Sequence, residues 1–178
     1  MVCTMKSVWI ALAVVLLLSA VIVAQDVRTN YVPGTDFSKY KTYKWVNIEG
    51  RAYPDQIVDQ QIRQAVDGQL ALKGLTKTDD DNVTMFVAYQ VTVKQQQEWD
   101  AYSTGGRRWG GGMATATSTT INVGTLGLDF YDPTPQQLIW RGSATKTLNP
   151  SKDPEKNQDR LNKAVAKLLK NFPPKPKK

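Results

Sequence analysis

Histidine is absent from the 178 residues, and cysteine occurs once, at Cys3. Set the N-terminal leader aside, and neither an imidazole nor a thiol remains. Cysteine nucleophiles, Cys/His zinc sites, Ser-His-Asp triads and disulfide frameworks all need one of those groups and are excluded. No glycine-rich loop ends in Lys-Ser/Thr between a strand and a helix, so a nucleotide phosphate loop is not expected. The expectation is a protein without metal or cofactor that is not an enzyme. What is present is ordinary: 41% hydrophobic and 22% charged residues, the composition of one globular domain.

Residues 1–24 read as a signal peptide. A positive charge at Lys6 precedes the apolar run from Val8 through Leu18, and small residues follow at Ala20 and Ala24, the order that export signals show. Cleavage is expected after Ala24. The rival is an uncleaved anchor, because residues 7–25 carry no charge and as a helix would run about 28 Å, close to the roughly 30 Å of a bilayer core. Cys3 lies before the apolar run rather than after it, which argues against lipid attachment. Either way the body is expected outside the cytoplasm, in the periplasm or cell envelope. It contains no cysteine to form a disulfide, so packing alone must hold it.

Charge is divided unevenly. Residues 26–140 hold 11 Lys+Arg against 13 Asp+Glu, a balance of −2, whereas residues 141–178 hold 11 against 3, a balance of +8. The basic character belongs to the last helix and to the Pro-rich tail 173–178. A nucleic-acid partner is not expected, since such a domain spreads Lys and Arg over a readout face. The bland reading is a solvated helix face and a frayed tail. The functional one is attraction to an anionic envelope surface, phospholipid or glycan.

Residues 25–172 are expected to form a single domain. Val27-Arg28-Thr29-Asn30-Tyr31-Val32 alternates like an edge strand and stops at Pro33-Gly34. A second strand is expected over residues 42–48. The first helix is expected to start near Pro54, with Asp55 favouring the dipole, to bury Val58, Ile62, Ala65, Val66 and Leu70, and to end at Gly74. Residues 83–93 form the strongest strand, with Val83, Met85, Val87, Tyr89, Val91 and Val93 on one face and a wet opposite face. A long strand follows over residues 114–131. Its apolar phase changes from Ile121 and Val123 to Leu126, Leu128 and Phe130, for which a bulge at Gly124-Thr125 would account. Residues 138–145 supply an antiparallel partner. The last helix opens at Asp153-Pro154-Glu155 and carries Leu161, Ala164, Val165, Leu168, Leu169 and Phe172 as a stripe. The fold class expected is α+β: an antiparallel sheet of about five or six strands with two helices packed on one face.

Several segments resemble the bacterial envelope family known as domain of unknown function 4136. They are Val27-Arg28-Thr29-Asn30-Tyr31, Asp36-Phe37-Ser38-Lys39-Tyr40-Lys41-Thr42-Tyr43-Lys44-Trp45, Leu72-Lys73-Gly74-Leu75, Phe86-Val87-Ala88-Tyr89, Gly124-Thr125-Leu126-Gly127-Leu128-Asp129 and Leu138-Ile139-Trp140-Arg141-Gly142. The resemblance implies fold and export, and carries no catalytic residue with it. Two features depart from the family: Thr84 stands where an Asp often begins that strand, and no lipid-accepting cysteine follows the leader.

The oddest stretch is residues 99–113, which contains Arg107, Arg108, Trp109, Gly110, Gly111 and Gly112. Glycine permits close backbone approach, and two cations beside an amphipathic ring suit a phosphate-bearing or interfacial partner. A plain hairpin loop is the alternative. The aromatics Tyr31, Phe37, Tyr40, Tyr43 and Trp45 are a ligand platform or simple packing. Asp79, Asp80, Asp81 and Asn82 lack the Gly bend and later Glu of a calcium loop and read as a polar turn. Among Glu49, Glu98, Asp100 and Asp129 no spacing singles out a glycosidase pair, and Asp129 reads as an ion pair with Arg141. The reading favoured is a non-enzymatic exported protein that binds or scaffolds an unknown envelope component, be it protein, glycan or anionic lipid. The alternatives are a carboxylate-dependent enzyme acting on envelope glycan and a carrier of lipid or small apolar ligands.

Overall fold

The structure, a computed structural model, describes residues 25–80, 82–103 and 114–175. The expected leader, 1–24, and the segment 107–112 lie outside the described residues. Six strands are present: β1 (Asp26–Tyr31), β2 (Thr42–Trp45), β3 (Thr76–Lys77), β4 (Met85–Ser103), β5 (Ala114–Asp132) and β6 (Gln137–Thr147). Helix α1 (Gln56–Ala71) lies between β2 and β3, and α2 (Pro154–Leu168) follows β6. No helix among the described residues is long and apolar enough to cross a membrane.

Local chemistry sets the helix ends. Asp55 caps α1 by accepting from the N–H groups of Ile57 and Val58, so the helix begins just after Asp55 and Pro54 lies outside it, a correction to its expected place in the first turn. Gly74, at φ +80°, turns the chain out of α1, and the Leu75 N–H returns to the Leu70 carbonyl at 3.1 Å. For α2 the expected arrangement holds: Asp153 caps it and Pro154 occupies its first turn.

The sheet order is β1-β6-β5-β4-β2-β3. β1, β6, β5 and β4 pair antiparallel, whereas β2 pairs parallel with both β4 and β3. The expectation of an antiparallel sheet is thus corrected to a mixed one. The physical reason is α1, a crossover that carries the chain back over the helical layer, so β3 re-enters beside β2 in the same direction. Thr84 secures the parallel joint: its hydroxyl oxygen accepts from the Lys41 and Thr42 N–H groups, each at 2.9 Å. An acceptor is what that position needs, and Thr supplies one.

The phase change along β5 has no bulge at Gly124-Thr125. β4 and β5 stay in unbroken register from Phe86↔Tyr131 to Ser103↔Ala114. Ile121 and Val123 therefore lie on the open face of the sheet, beside Gln96 and Lys94, rather than being rotated into the core. The irregularity falls instead between β5 and β6, where Phe130 faces Trp140 but Tyr131 faces Leu138.

Both helices cover one face. Val66, Leu70, Val165, Leu168 and Leu169 meet Met85, Val87, Leu128, Phe130 and Trp140, all fully buried. Phe130 stacks on Trp140 at 4.7 Å, and Phe172 closes edge-on against both rings. Gly142 keeps this packing close: a Cβ there would stand 2.8 Å from Leu168 Cδ1, so a side chain would overpack the α2 contact.

Candidate functional site

Two features stand apart from the core. The first is a ribbon. β4 and β5 are 19 residues each, about 60 Å if fully extended, far longer than the strands beside them. On one side, β2 contacts β4 only up to Val87, with a last bond from the Val46 N–H to the Val87 carbonyl at 2.9 Å. On the other, β6 ends against β5 with the Leu148 N–H bonded to the Asn122 carbonyl at 2.7 Å. Beyond those rungs, residues 96–103 and 114–121 pair only with each other among the described residues.

Composition explains why this arm is uncovered. Lys94, Gln95, Gln96 and Gln97 are exposed on both faces, as are Ser118, Thr119 and Thr120. Residues 94–97 and 118–120 offer no apolar face to draw a helix over them. At its root on the open face, Thr92, Lys94, Gln96, Val123, Thr125 and Thr145 line a trough of about 290 Å³. Thr125 and Thr145 join across its floor, hydroxyl to hydroxyl at 3.0 Å. Ser103 faces Ala114 at the far end, so the segment holding Arg107, Arg108, Trp109, Gly110, Gly111 and Gly112 joins the ribbon's outer ends. Those six residues lie outside the described residues.

The second feature, which the sequence reading missed, is a carboxylate–aromatic network between α1 and the sheet. Asp59 accepts from the Tyr89 hydroxyl at 2.5 Å and from Arg63 Nε at 2.8 Å. Eight residues along the same helix face, Asp67 accepts from the Tyr43 hydroxyl and Trp45 Nε1, both at 2.8 Å, and from Lys77 at 3.1 Å. The Arg63 guanidinium lies 4.9 Å from the Trp45 ring centre and 5.6 Å from that of Tyr89. Burial pushes the Asp59 carboxyl up, but the bonds from Tyr89 and Arg63 outweigh it and hold it below the ordinary range. Burial and then the neighbouring carboxylate push the Tyr43 and Tyr89 hydroxyls well above theirs. A groove of about 400 Å³ runs along the outside, past Gln56, Gln60 and Gln64. Both carboxylates are engaged with α1 or sheet partners, so the network pins α1 to β2 and β4. The signal in the sequence was the Asp59, Arg63, Asp67 spacing of four, on the flank of the buried stripe.

The other expected residues fall as follows. Tyr31, Phe37 and Tyr40 cluster with Phe172, Phe37 lying 5.7 Å from the Phe172 ring, while Tyr43 and Trp45 belong to the network above. The five aromatics form two packing groups and no single platform. Asp129, 1% exposed, receives Arg141 through Nε at 2.6 Å and Nη2 at 2.7 Å, the cross-strand pair expected. Asp132 joins Lys39 and Tyr40 at 2.7 Å each. In the Asp79 to Asn82 turn, Thr78 bonds Asp80 through its hydroxyl, and Asp81 lies outside the described residues. No group of three potential metal ligands occurs among the described residues.

Among curated proteins, none matches this chain. Among solved structures, a PDZ domain protein from Parabacteroides distasonis is similar at a TM-score of 0.55 and 13% identity, over 84% of this chain and 35% of that one. The chain thus spans about a third of that protein's length. A PelC dodecamer from Paraburkholderia phytofirmans is similar at a TM-score of 0.50 and 14% identity, over 82% of this chain and 95% of the other. These likenesses concern the fold. Residues 27–174 match the model of a family described as Domain of unknown function (DUF4136), and the chain belongs to that family.

Proposed function

We propose that the protein is an exported, non-enzymatic component of the cell envelope that binds or scaffolds a partner through the β4–β5 ribbon and the segment at its end. The observation that carries this reading is the ribbon itself: two strands that continue past the core, with both backbone edges unpaired among the described residues. Open edges offer rows of N–H and C=O groups, the basis of partner recognition by strand addition. Export rests on the leader, whose charge, apolar run and small residues fit an export signal.

The test places a photo-crosslinking residue at Gln96 or Ser118 on the ribbon, and at Gln64 on α1 as a control, in the full chain in its own host. A discrete adduct with an envelope component from the ribbon positions, absent from Gln64 and weakened by alanine at Arg107, Arg108 and Trp109, supports the reading. Equal labelling from all three positions, or adducts only with cytoplasmic proteins, would sink it. An adduct between copies of the chain would make self-assembly the ribbon's role, as a dodecameric neighbour of the same fold suggests.

A further inference from the structure

Helix α2 presents a basic line that the charge count alone does not reveal. Lys156, Arg160, Lys163 and Lys167, with Lys170 in the closing turn, are all exposed. Their spacings of four, three, four and three place them on one face, a row about 21 Å long. Carboxylates flank the row at its start only: Asp153 meets Lys156 at 3.5 Å, Asp159 is exposed beside it, and Glu155 lies in the first turn. Residues 160–178 contain seven Lys+Arg and no Asp or Glu. The helix dipole favours cations in the last turn, which accounts for Lys167 and Lys170. It does not account for Lys163 in mid-helix, and it disfavours Lys156 near the start.

The row also lies beside the start of the described chain. Lys167 Nζ donates to the Gln25 carbonyl at 3.0 Å, so the described chain begins against the C-terminal half of the basic row. Immediately before Gln25 in the sequence runs the uncharged, mainly apolar stretch 7–24. We infer that α2 is a docking face for anionic phospholipid, which meets headgroups through the Lys156 to Lys170 row. Four of the five cations are lysines, point charges suited to a diffuse charged surface rather than forks for one bound anion. The opposite side of α2, Val165, Leu168 and Leu169, is buried in the core, so the helix lies on a membrane and does not insert. This inference rests on the export proposed above and on the leader being kept as an anchor rather than cleaved, but not on the ribbon.

The test footprints lysines by acetylation and mass spectrometry, on the chain as its host makes it. The chain is mixed with vesicles of phosphatidylcholine alone or with phosphatidylglycerol added. Lys94, exposed on the open face, is the control. Lys163 and Lys170 should become several-fold less reactive on phosphatidylglycerol vesicles only, and regain reactivity in high salt. In the variant Lys163→Gln, Lys170→Gln, the phosphatidylglycerol needed to protect Lys156 should rise on the order of 25-fold, at about five-fold per charge. Equal reactivity on both vesicles overturns the inference. So does protection by a soluble polyanionic glycan without protection by phosphatidylglycerol, which would make the row a glycan site. Alanine at Arg107, Arg108 and Trp109 should leave this footprint unchanged, so failure here and failure of the ribbon reading are separately visible.

Discussion

Asp59 on α1 and Tyr89 on β4 share a 2.5 Å hydrogen bond, made where the helix comes down on the sheet. Tyr89 is only 1% exposed, and its ring packs edge-on against Trp45 at 6.0 Å and Tyr53 at 5.4 Å. The bond therefore joins the helical layer to an aromatic group that is already fixed. Tyr89→Phe removes the donor and leaves Asp59 with Arg63, at an expected cost of about 1 kcal/mol. Asp59→Ala leaves the buried Tyr89 hydroxyl without its acceptor and the Arg63 guanidinium with Asn47 alone, at about 2 kcal/mol. Urea unfolding of both single variants and the double measures the coupling. Strictly additive losses would mean that the bond does not hold α1 in place.

The pair Asp129 and Arg141 is asymmetric, and the asymmetry sets its response to mutation. The carboxylate side chain is 1% exposed, the guanidinium side chain 51%. Arg141→Ala strands a covered charge, although losing the guanidinium also admits water, so a loss of about 2 kcal/mol is expected. Replacing both residues, Asp129→Val with Arg141→Thr, removes the charge together with its partner and should restore most of that stability. Chemical denaturation of the two variants decides. A double variant weaker than Arg141→Ala would show that the carboxylate contributes through something other than its pair.

Acid should destabilise the domain through carboxyls held low in the fold, of which Asp132 and Asp59 join separate elements and Asp36 is held by its neighbour Ser38. Bonds from Lys39 and then Tyr40 hold Asp132 below the ordinary carboxyl value of 3.8, and Asp59 is also held below it. In the unfolded chain both return to that ordinary value, so the unfolded state binds protons first as pH falls. The stability they contribute is complete above about pH 5 and is lost as pH falls through the depressed folded values. Urea midpoints followed from neutral pH down to about pH 2 should be flat and then drop. Asp132→Asn should be less stable at neutral pH and lose less on acidification. An unchanged acid limb in that variant would remove Asp132 from the account.

What could be read from the sequence was whatever repeats or punctuates. Asp153-Pro154 and Gly74 marked helix ends, strict alternation marked residues 83–93, and both helical stripes reach the core as spaced. The parallel placement of β2 was hidden, because strand direction follows from where α1 returns the chain. β3 was hidden too, since two residues, Thr76 and Lys77, carry no period. Ile121 and Val123 misled because apolar residues suggested a core face, whereas unbroken pairing leaves them on the open side. The β4 half of the ribbon was the largest omission, although the β5 half was expected: Gln95, Gln96 and Gln97 are polar on both faces, so alternation disappears although the strand continues. The alternating core strand and the arm are one strand in two environments.

That difference should be measurable along β4 itself. Met85, Val87 and Tyr89 are buried beneath α1, and opening their hydrogen bonds requires the helical layer to leave. Residues 94–97 bond only to β5 and are exposed on both faces, so their bonds can open while the core stays intact. Two-stranded pairing without a covered face is marginal in water. Native-state hydrogen exchange should show amides of residues 85–89 protected up to the global unfolding free energy. Those of residues 94–97 and 118–121 should exchange at least 100-fold faster, roughly 3 kcal/mol below it. The gap should narrow if a partner adds a strand to an open edge, because edge amides become bonded and strands 94–103 and 114–121 gain a neighbour. Equal protection along the whole of β4 in the free protein would mean that the arm is already covered, and would remove the basis for its role as a contact element.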